Sequence, residues 1–273
     1  MSDVILSLED VRRSFGDVEV LHGISIDLRP GEVHALIGEN GAGKSTAMKI
    51  LCGYLSATSG KVNFKGQTQP FKDANAAEAK GVVMIHQEFN LADMLSVEEN
   101  IFLGRELRKG ILLDKKEMQA QTRQFLDQLN CSAPATARID SLSNSDKQMV
   151  EIAKALSRHA EVLVMDEPTA VLTKSETEVL FAQVEALRAE GTAILFTSHK
   201  LDEVRQIADR VTIMRDGEVV HQGPVAEMNV DQMAEAMVGR DVSHLYPAKG
   251  TLPKDAEAVL QVKNLTVPGY ATD

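Results

Sequence analysis

The sequence predicts an α/β fold: a core sheet of buried parallel strands with an N-terminal antiparallel β subdomain and an inserted helical subdomain. Three observations carry this. Short, mostly apolar bursts at Val82–Ile85, Val162–Met165 and Ala193–Phe196 are each bounded by polar or turn residues, the form taken by strands covered on both faces. Residues 4–11 and 18–28 instead alternate apolar and polar, as strands with one covered face do. Between about 89 and 159 no strand pattern occurs, while LDKKEMQAQTRQFLDQL (113–129) has the spacing of an amphipathic helix.

The remaining elements follow in order. Residues 33–37 run into a glycine-rich turn and a helix over about 43–53, a strand, loop, helix unit. A second helix is expected to begin at Thr173, where T-K-S-E forms a capping box: the threonine takes a free backbone N–H and Glu176 reaches back. In VTIMRDGEVVHQG, Asp216-Gly217 stands between two alternating runs and signals a two-residue hairpin. After a polar stretch with Pro247, Gly250 and Pro253, AVLQVKNLTV (258–267) repeats the pattern of VILSLEDV (4–11). That segment is either a C-terminal edge strand or the opening of a second copy. The expected organisation is 1–88 with 160–240 as the core, 89–159 as the helical subdomain, 241–257 as a linker and 258–273 as the start of that second copy.

Composition narrows the classes of function. A chain of 273 residues with 44% apolar and 25% charged residues can bury a large core and is neither fibrous nor disordered. Twenty-nine Lys and Arg against 40 Asp and Glu leave a net charge of −11, which opposes general coating of nucleic acid. Two cysteines, Cys52 and Cys131, make no disulfide framework, and the first residues lack a basic region followed by an apolar signal core, so a reducing, cytosolic compartment is expected. The apolar runs, such as VLVM and GVVMI, fall far below the roughly 20 residues that span a bilayer, so a membrane role would come through a partner.

The chemistry begins at Gly38-Glu39-Asn40-Gly41-Ala42-Gly43-Lys44-Ser45, followed by Thr46, which fits G-x-x-x-x-G-K-[ST] between a strand and a helix. Glycines let backbone N–H groups converge on a phosphate, the helix N-terminus adds its positive end, Lys44 bridges β- and γ-oxygens, and the Ser45 hydroxyl reaches Mg²⁺. With this loop the core becomes a P-loop NTPase sheet. Asp166 and Glu167 end an apolar strand; the first can hold Mg²⁺ and the second can polarise an attacking water. The plainer role for that pair is an acidic turn capping the next helix. His199 follows AILFTS and Gln87 follows GVVMIH, so both lie at the carboxyl edge of the sheet, where open α/β folds bind ligands. Taken singly, His199 reads as a capping or buried histidine and Gln87 as a loop amide.

Together these segments resemble the ATP-binding cassette family, the ATPase subunits of ABC transporters, over essentially the whole chain. GENGAGKST resembles the phosphate loop, Gln87 the Q-loop that also reaches the metal, LSNSDKQMVEIAKAL (142–156) the signature, VLVMDEPT (162–169) the magnesium strand, and His199 the switch histidine. Phe15 stands where the family places an aromatic that stacks on adenine; its alternative is a buried core phenylalanine. HQEFNL, LSVEENIFLGRE, DEPTAVLT, SHKLDEV, ADRVTIMRDG and MVGRD resemble the monosaccharide-uptake subfamily, whose ATPases are two fused cassettes. The resemblance implies a first cassette followed by the start of a second, truncated here. It implies ATP and Mg²⁺ as cofactors and integral membrane permease subunits as partners. A periplasmic sugar-binding protein would deliver the monosaccharide, and the chain would sit on the inner face of the cell membrane. A related nucleoside-importing group shares much of the pattern.

Two departures stand out. The family signature L-S-G-G-Q is replaced by Leu142-Ser143-Asn144-Ser145-Asp146, so side chains at 144 and 145 restrict the approach of the backbone to the γ-phosphate bound by the opposite cassette. Thr173 stands where most of the family has an aspartate, as the sugar subfamily often does. The rival classes are a soluble cassette ATPase acting on nucleic acid or ribosomes, opposed by the acidic charge and the lack of sustained heptads, and a module that holds ATP without hydrolysing it, opposed by Glu167 and His199.

Overall fold

The computed structural model describes residues 4–239 and Lys263. The 241–257 linker and the 258–273 repeat therefore lie outside the described residues, apart from the isolated Lys263.

The chain begins with two long strands, β1 (Leu6–Phe15) and β2 (Val18–Leu28), paired antiparallel. β3 (Val33–Gly38) leads through the glycine loop into α1 (Lys44–Leu51). β4 (Ser59–Phe64) and β5 (Gln67–Thr68) return to the first sheet, whose order is β2-β1-β4-β5. α2 (Ala74–Ala79) precedes β6 (Val82–Ile85). The inserted region comprises α3 (Val97–Ile101), the strand pair β7 (Arg108–Lys109) and β8 (Leu112–Leu113), α4 (Lys115–Gln128) and α5 (Asn144–Leu156). The core resumes with β9 (Val162–Met165), α6 (Lys174–Ala189), β10 (Ala193–Phe196), α7 (Leu201–Ile207), β11 (Arg210–Arg215), β12 (Glu218–Pro224) and α8 (Val230–Val238).

The six-stranded sheet has the order β12-β11-β3-β10-β9-β6, parallel except for the edge strand β12. Its apolar bursts do not alternate with polar residues because both faces are covered. In β9, Leu163 and Met165 enter the cluster under the inserted helices, while Val162 and Val164 enter the one beneath the antiparallel sheet. β10 divides the same way, with Ile194 and Phe196 on one side and Ala193 and Leu195 on the other. Each of these side chains other than Ala193 contributes about 1.5–3 kcal/mol by leaving water.

The two sheets are joined by charge as well as packing. Both terminal nitrogens of Arg210 on β11 donate to the Asp27 carboxylate on β2, at 2.9 and 3.0 Å, and one also donates to Glu32 at 3.1 Å. The guanidinium holds the Asp27 carboxyl below its usual range. Asp216-Gly217 forms the expected turn between β11 and β12, with φ of 49° and 80°. α6 starts at Thr173 with both hydrogen bonds of the capping box in place. The expectation of no strands in 89–159 is modified by the β7–β8 hairpin, whose two-residue strands are too short for any periodicity.

Candidate phosphate-binding and hydrolytic site

Four parallel strands bring the site residues to one edge. β3, β10, β9 and β6 all run the same way, with Met165 in register with both Phe196 and Ile85. The residues that follow these strands, Gly38 into the loop, Thr197, Asp166 and Gln87, therefore emerge side by side.

The loop from Gly38 to Lys44 has the form of an anion cradle. Gly43 is the N-cap of α1 at φ 98°, where a side chain would be strained, and a Cβ there would lie 2.6 Å from Leu21 Cδ2. Glycine offers no side-chain cap, and no acidic residue stands in the first turn. The N–H groups of Lys44, Ser45 and Thr46 belong to that turn and lack carbonyl partners within the helix, so they can receive phosphate oxygens. Gly41, at φ 87°, faces open space, and Glu39 and Asn40 are exposed on the rim, whereas Ala42 packs inward.

Lys44 lies under the loop, 7% exposed, and donates to the carbonyl oxygens of Gly38 at 2.7 Å and Glu39 at 3.0 Å. Burial lowers its ammonium below the ordinary lysine range, against the opposing pull of Glu167 and Asp166. Its direct hydrogen bonds go to neutral carbonyls, so an anion above the loop would be a stronger partner.

Asp166 is buried, and Ser45 Oγ donates to its Oδ2 at 3.1 Å. A hydroxyl and a carboxylate are the hard oxygen donors that suit Mg²⁺. Two such donors suit an ion whose remaining positions are filled by phosphate and water oxygens.

Both oxygens of Glu167 are engaged. Gln87 Nε2 donates to Oε2 at 3.2 Å, and His199 Nε2 lies 2.5 Å from Oε1. Three sequence-nominated residues thus meet, although they stand on three different strand ends. Glu167 has φ 52°, a left-handed conformation that costs about 1–2 kcal/mol in a non-glycine residue. A carboxylate so held, beside an anion cradle, can orient and polarise a water.

Two nominated features lie elsewhere. Phe15 is 46% exposed, so it is not a core residue, and the Arg13 guanidinium lies over its ring, 4.6 Å from the centroid. The signature segment opens α5. Ser143 is the N-cap, its Oγ accepting from the Asp146 N–H at 3.1 Å and donating to the Asp146 carboxylate at 2.7 Å. Asn144 is exposed, and Ser145 Oγ donates to Glu176 Oε1, within the capping box of α6. Sequence reasoning missed that link and also missed Thr197, whose buried hydroxyl touches the Asp166–Glu167 pair. A threonine directly after the apolar burst of β10 was the available signal.

Comparison with known proteins adds an independent line. Residues 21–170 match the family described as ABC transporter. A Burkholderia cenocepacia protein named as a ribose/galactose/methyl galactoside import ATP-binding protein is 46% identical over 265 residues, covering 97% of this chain and 51% of that protein. The ribose import ATP-binding protein RbsA of Hahella chejuensis is 45% identical over 260 residues, covering 95% of this chain and 52% of that protein. The chain spans about half the length of the curated relatives it matches. Among solved structures, a nucleotide-free ATP-binding cassette from an ABC transporter has a TM-score of 0.74 at 26% identity, covering 90% of this chain and 100% of that one. The ADP conformation of the cassette MJ1267 has a TM-score of 0.72 at 27% identity, covering 86% of this chain and 95% of that one.

Proposed function

The chain belongs to the ABC transporter family, and from that premise we propose that it binds and hydrolyses ATP to energise import of a monosaccharide through partner membrane subunits. The observation that carries the ATPase reading is the convergence of the Gly38–Lys44 cradle, Asp166 and Glu167 at one sheet edge. The names of the relatives support the sugar-import reading.

ATP lies with its phosphates on the first-turn N–H groups of α1, and Phe15 offers a face to the adenine. Lys44 turns from the Gly38 and Glu39 carbonyls to the β- and γ-oxygens. Ser45 and Asp166, with the Gln87 amide oxygen, would hold Mg²⁺, which would neutralise charge on the phosphates. Glu167 orients a water for in-line attack: the water oxygen bonds to the γ-phosphorus as the bond to the bridging β–γ oxygen breaks, ADP leaves with that oxygen, and the water's protons end on the phosphate released. His199 keeps the Glu167 carboxylate in place.

One cassette closes only one side of the nucleotide. A second cassette, consistent with relatives about twice this length, supplies the other side through its own signature. ATP favours the closed pair because it contacts both halves only there, and hydrolysis releases it. Closure moves membrane subunits docked near Gln87 and the helical subdomain, and a periplasmic binding protein presents the sugar. No helix of the described residues is long and apolar enough to cross a membrane, which accords with a peripheral position on the inner face.

The test is an equilibrium titration of the chain with MgATP beside Lys44→Ala. Removing the ammonium should weaken binding by about 100-fold or more. Unchanged affinity would overturn the phosphate-loop assignment.

A further inference from the structure

Thr197 follows the last residue of β10 and is fully buried. Its Oγ1 lies 3.0 Å from Asp166 Oδ1 and 3.4 Å from the Met165 carbonyl oxygen, and it accepts the Glu167 N–H at 2.9 Å. A hydroxyl has one proton and two lone pairs. The proton belongs to Asp166, the nearer and charged acceptor, and a lone pair takes the Glu167 amide.

Two consequences follow from that single group. Ser45 already donates to Asp166 Oδ2, so the two hydroxyls grip the two carboxylate oxygens and fix the plane of the group. The amide of Glu167 is anchored where its backbone turns left-handed at φ 52°. Two residues beyond Thr197, His199 contacts the Glu167 carboxylate, so the end of β10 holds Glu167 by backbone and side chain together.

We propose that Thr197 is a positioning residue of the hydrolytic centre, one hydroxyl aiming Asp166 at the metal and fixing the turn that presents Glu167. This rests on the nucleotide-binding reading above. Thr197→Val removes the hydroxyl while keeping the branched shape, leaving Asp166 Oδ1 and the Glu167 N–H without this partner. Asp166 then loses its preset orientation, whereas the phosphate cradle of α1, on the other side of Asp166, is untouched.

The experiment measures affinity for ATP twice, in EDTA and in saturating Mg²⁺, for the wild-type chain, Thr197→Val, Thr197→Ser and Lys44→Ala, with melting temperatures alongside. The valine variant should lose about tenfold in affinity with Mg²⁺ and keep wild-type affinity in EDTA, and serine should restore the wild-type ratio. If Thr197→Val does not fold, Thr197→Ala, which leaves room for a water, goes through the same pair of titrations. A folded variant without the hydroxyl that keeps the wild-type ratio, even with a lowered melting temperature, overturns the proposal and leaves Thr197 a packing residue. Failure of the underlying reading looks different: the wild-type chain would not bind ATP, or Lys44→Ala would bind it as well.

Discussion

Two helix starts in this chain carry the same physical resource and use it in opposite ways. α1 begins at a glycine with no side-chain cap and no acidic residue in its first turn, so its N–H groups stand unspent, and the buried Lys44 beneath them is held only by hydrogen bonds to the Gly38 and Glu39 carbonyls. α5 begins at Ser143, which caps the helix itself, and Asp146 places a carboxylate in the first turn. Ser145 is further engaged by Glu176 of α6. The positive end of a helix attracts anions wherever it occurs. Whether it serves a ligand depends on what the sequence leaves unsatisfied there.

The largest expected effect lies beside α1. Glu167→Gln keeps size and hydrogen bonding but removes the charge that polarises water, so single-turnover hydrolysis at the Lys44 site of the complete polypeptide should slow by about 100-fold or more, with ATP still bound. Wild-type turnover would remove Glu167 from its role and move the chemistry away from this helix start.

Next come two glycines of the same loop. Gly43→Ala meets Leu21 at 2.6 Å and requires φ 98°, so nucleotide affinity should fall by roughly tenfold or more and stability by about 1–3 kcal/mol. Gly41→Ala meets nothing within 4 Å and should cost only the backbone strain, about 1 kcal/mol. Equal losses in a denaturant melt and a nucleotide titration would show that the cradle is not shaped as described.

A smaller effect is expected at α5. If Asn144 and Ser145 hold the helix start away from a second nucleotide, the double change Asn144→Gly and Ser145→Gly on the Glu167→Gln background should raise MgATP-dependent dimerisation of this chain about fivefold in light scattering. A stable dimer with both side chains intact would show that they are no obstacle, and the contrast between the two helices would lose its functional meaning. Of similar size, Ser143→Ala should cost about 1 kcal/mol through the lost cap, lowering the melting temperature by about 2–4 °C. No change there would mean that Asp146 and solvent satisfy the turn unaided.

The parts legible in the sequence were those whose chemistry is local. The phosphate loop, the strand ending in Asp166-Glu167 and the Thr173 cap each lie within a few consecutive residues. β4 was not legible, because SGKVNF carries a glycine and an incomplete alternation, and β5 is two residues long. The hairpin of β7 and β8 hid for a different reason: Ile111 at its tip is apolar yet almost wholly exposed, against the rule that apolar residues mark buried faces. The role of Thr197 depends on the register of β10 against β9, and the Ser145–Glu176 bond joins residues 31 apart, so neither could be read from spacing.

The forked contact of Arg210 with Asp27 has a consequence for how the molecule comes apart. Because β11 of the parallel sheet and β2 of the antiparallel sheet share a two-pronged ion pair and a common apolar interior, opening either sheet strips the other of partners. Heating should therefore give a single calorimetric transition for both sheets, and their amide hydrogens should exchange with deuterium at one common slow rate.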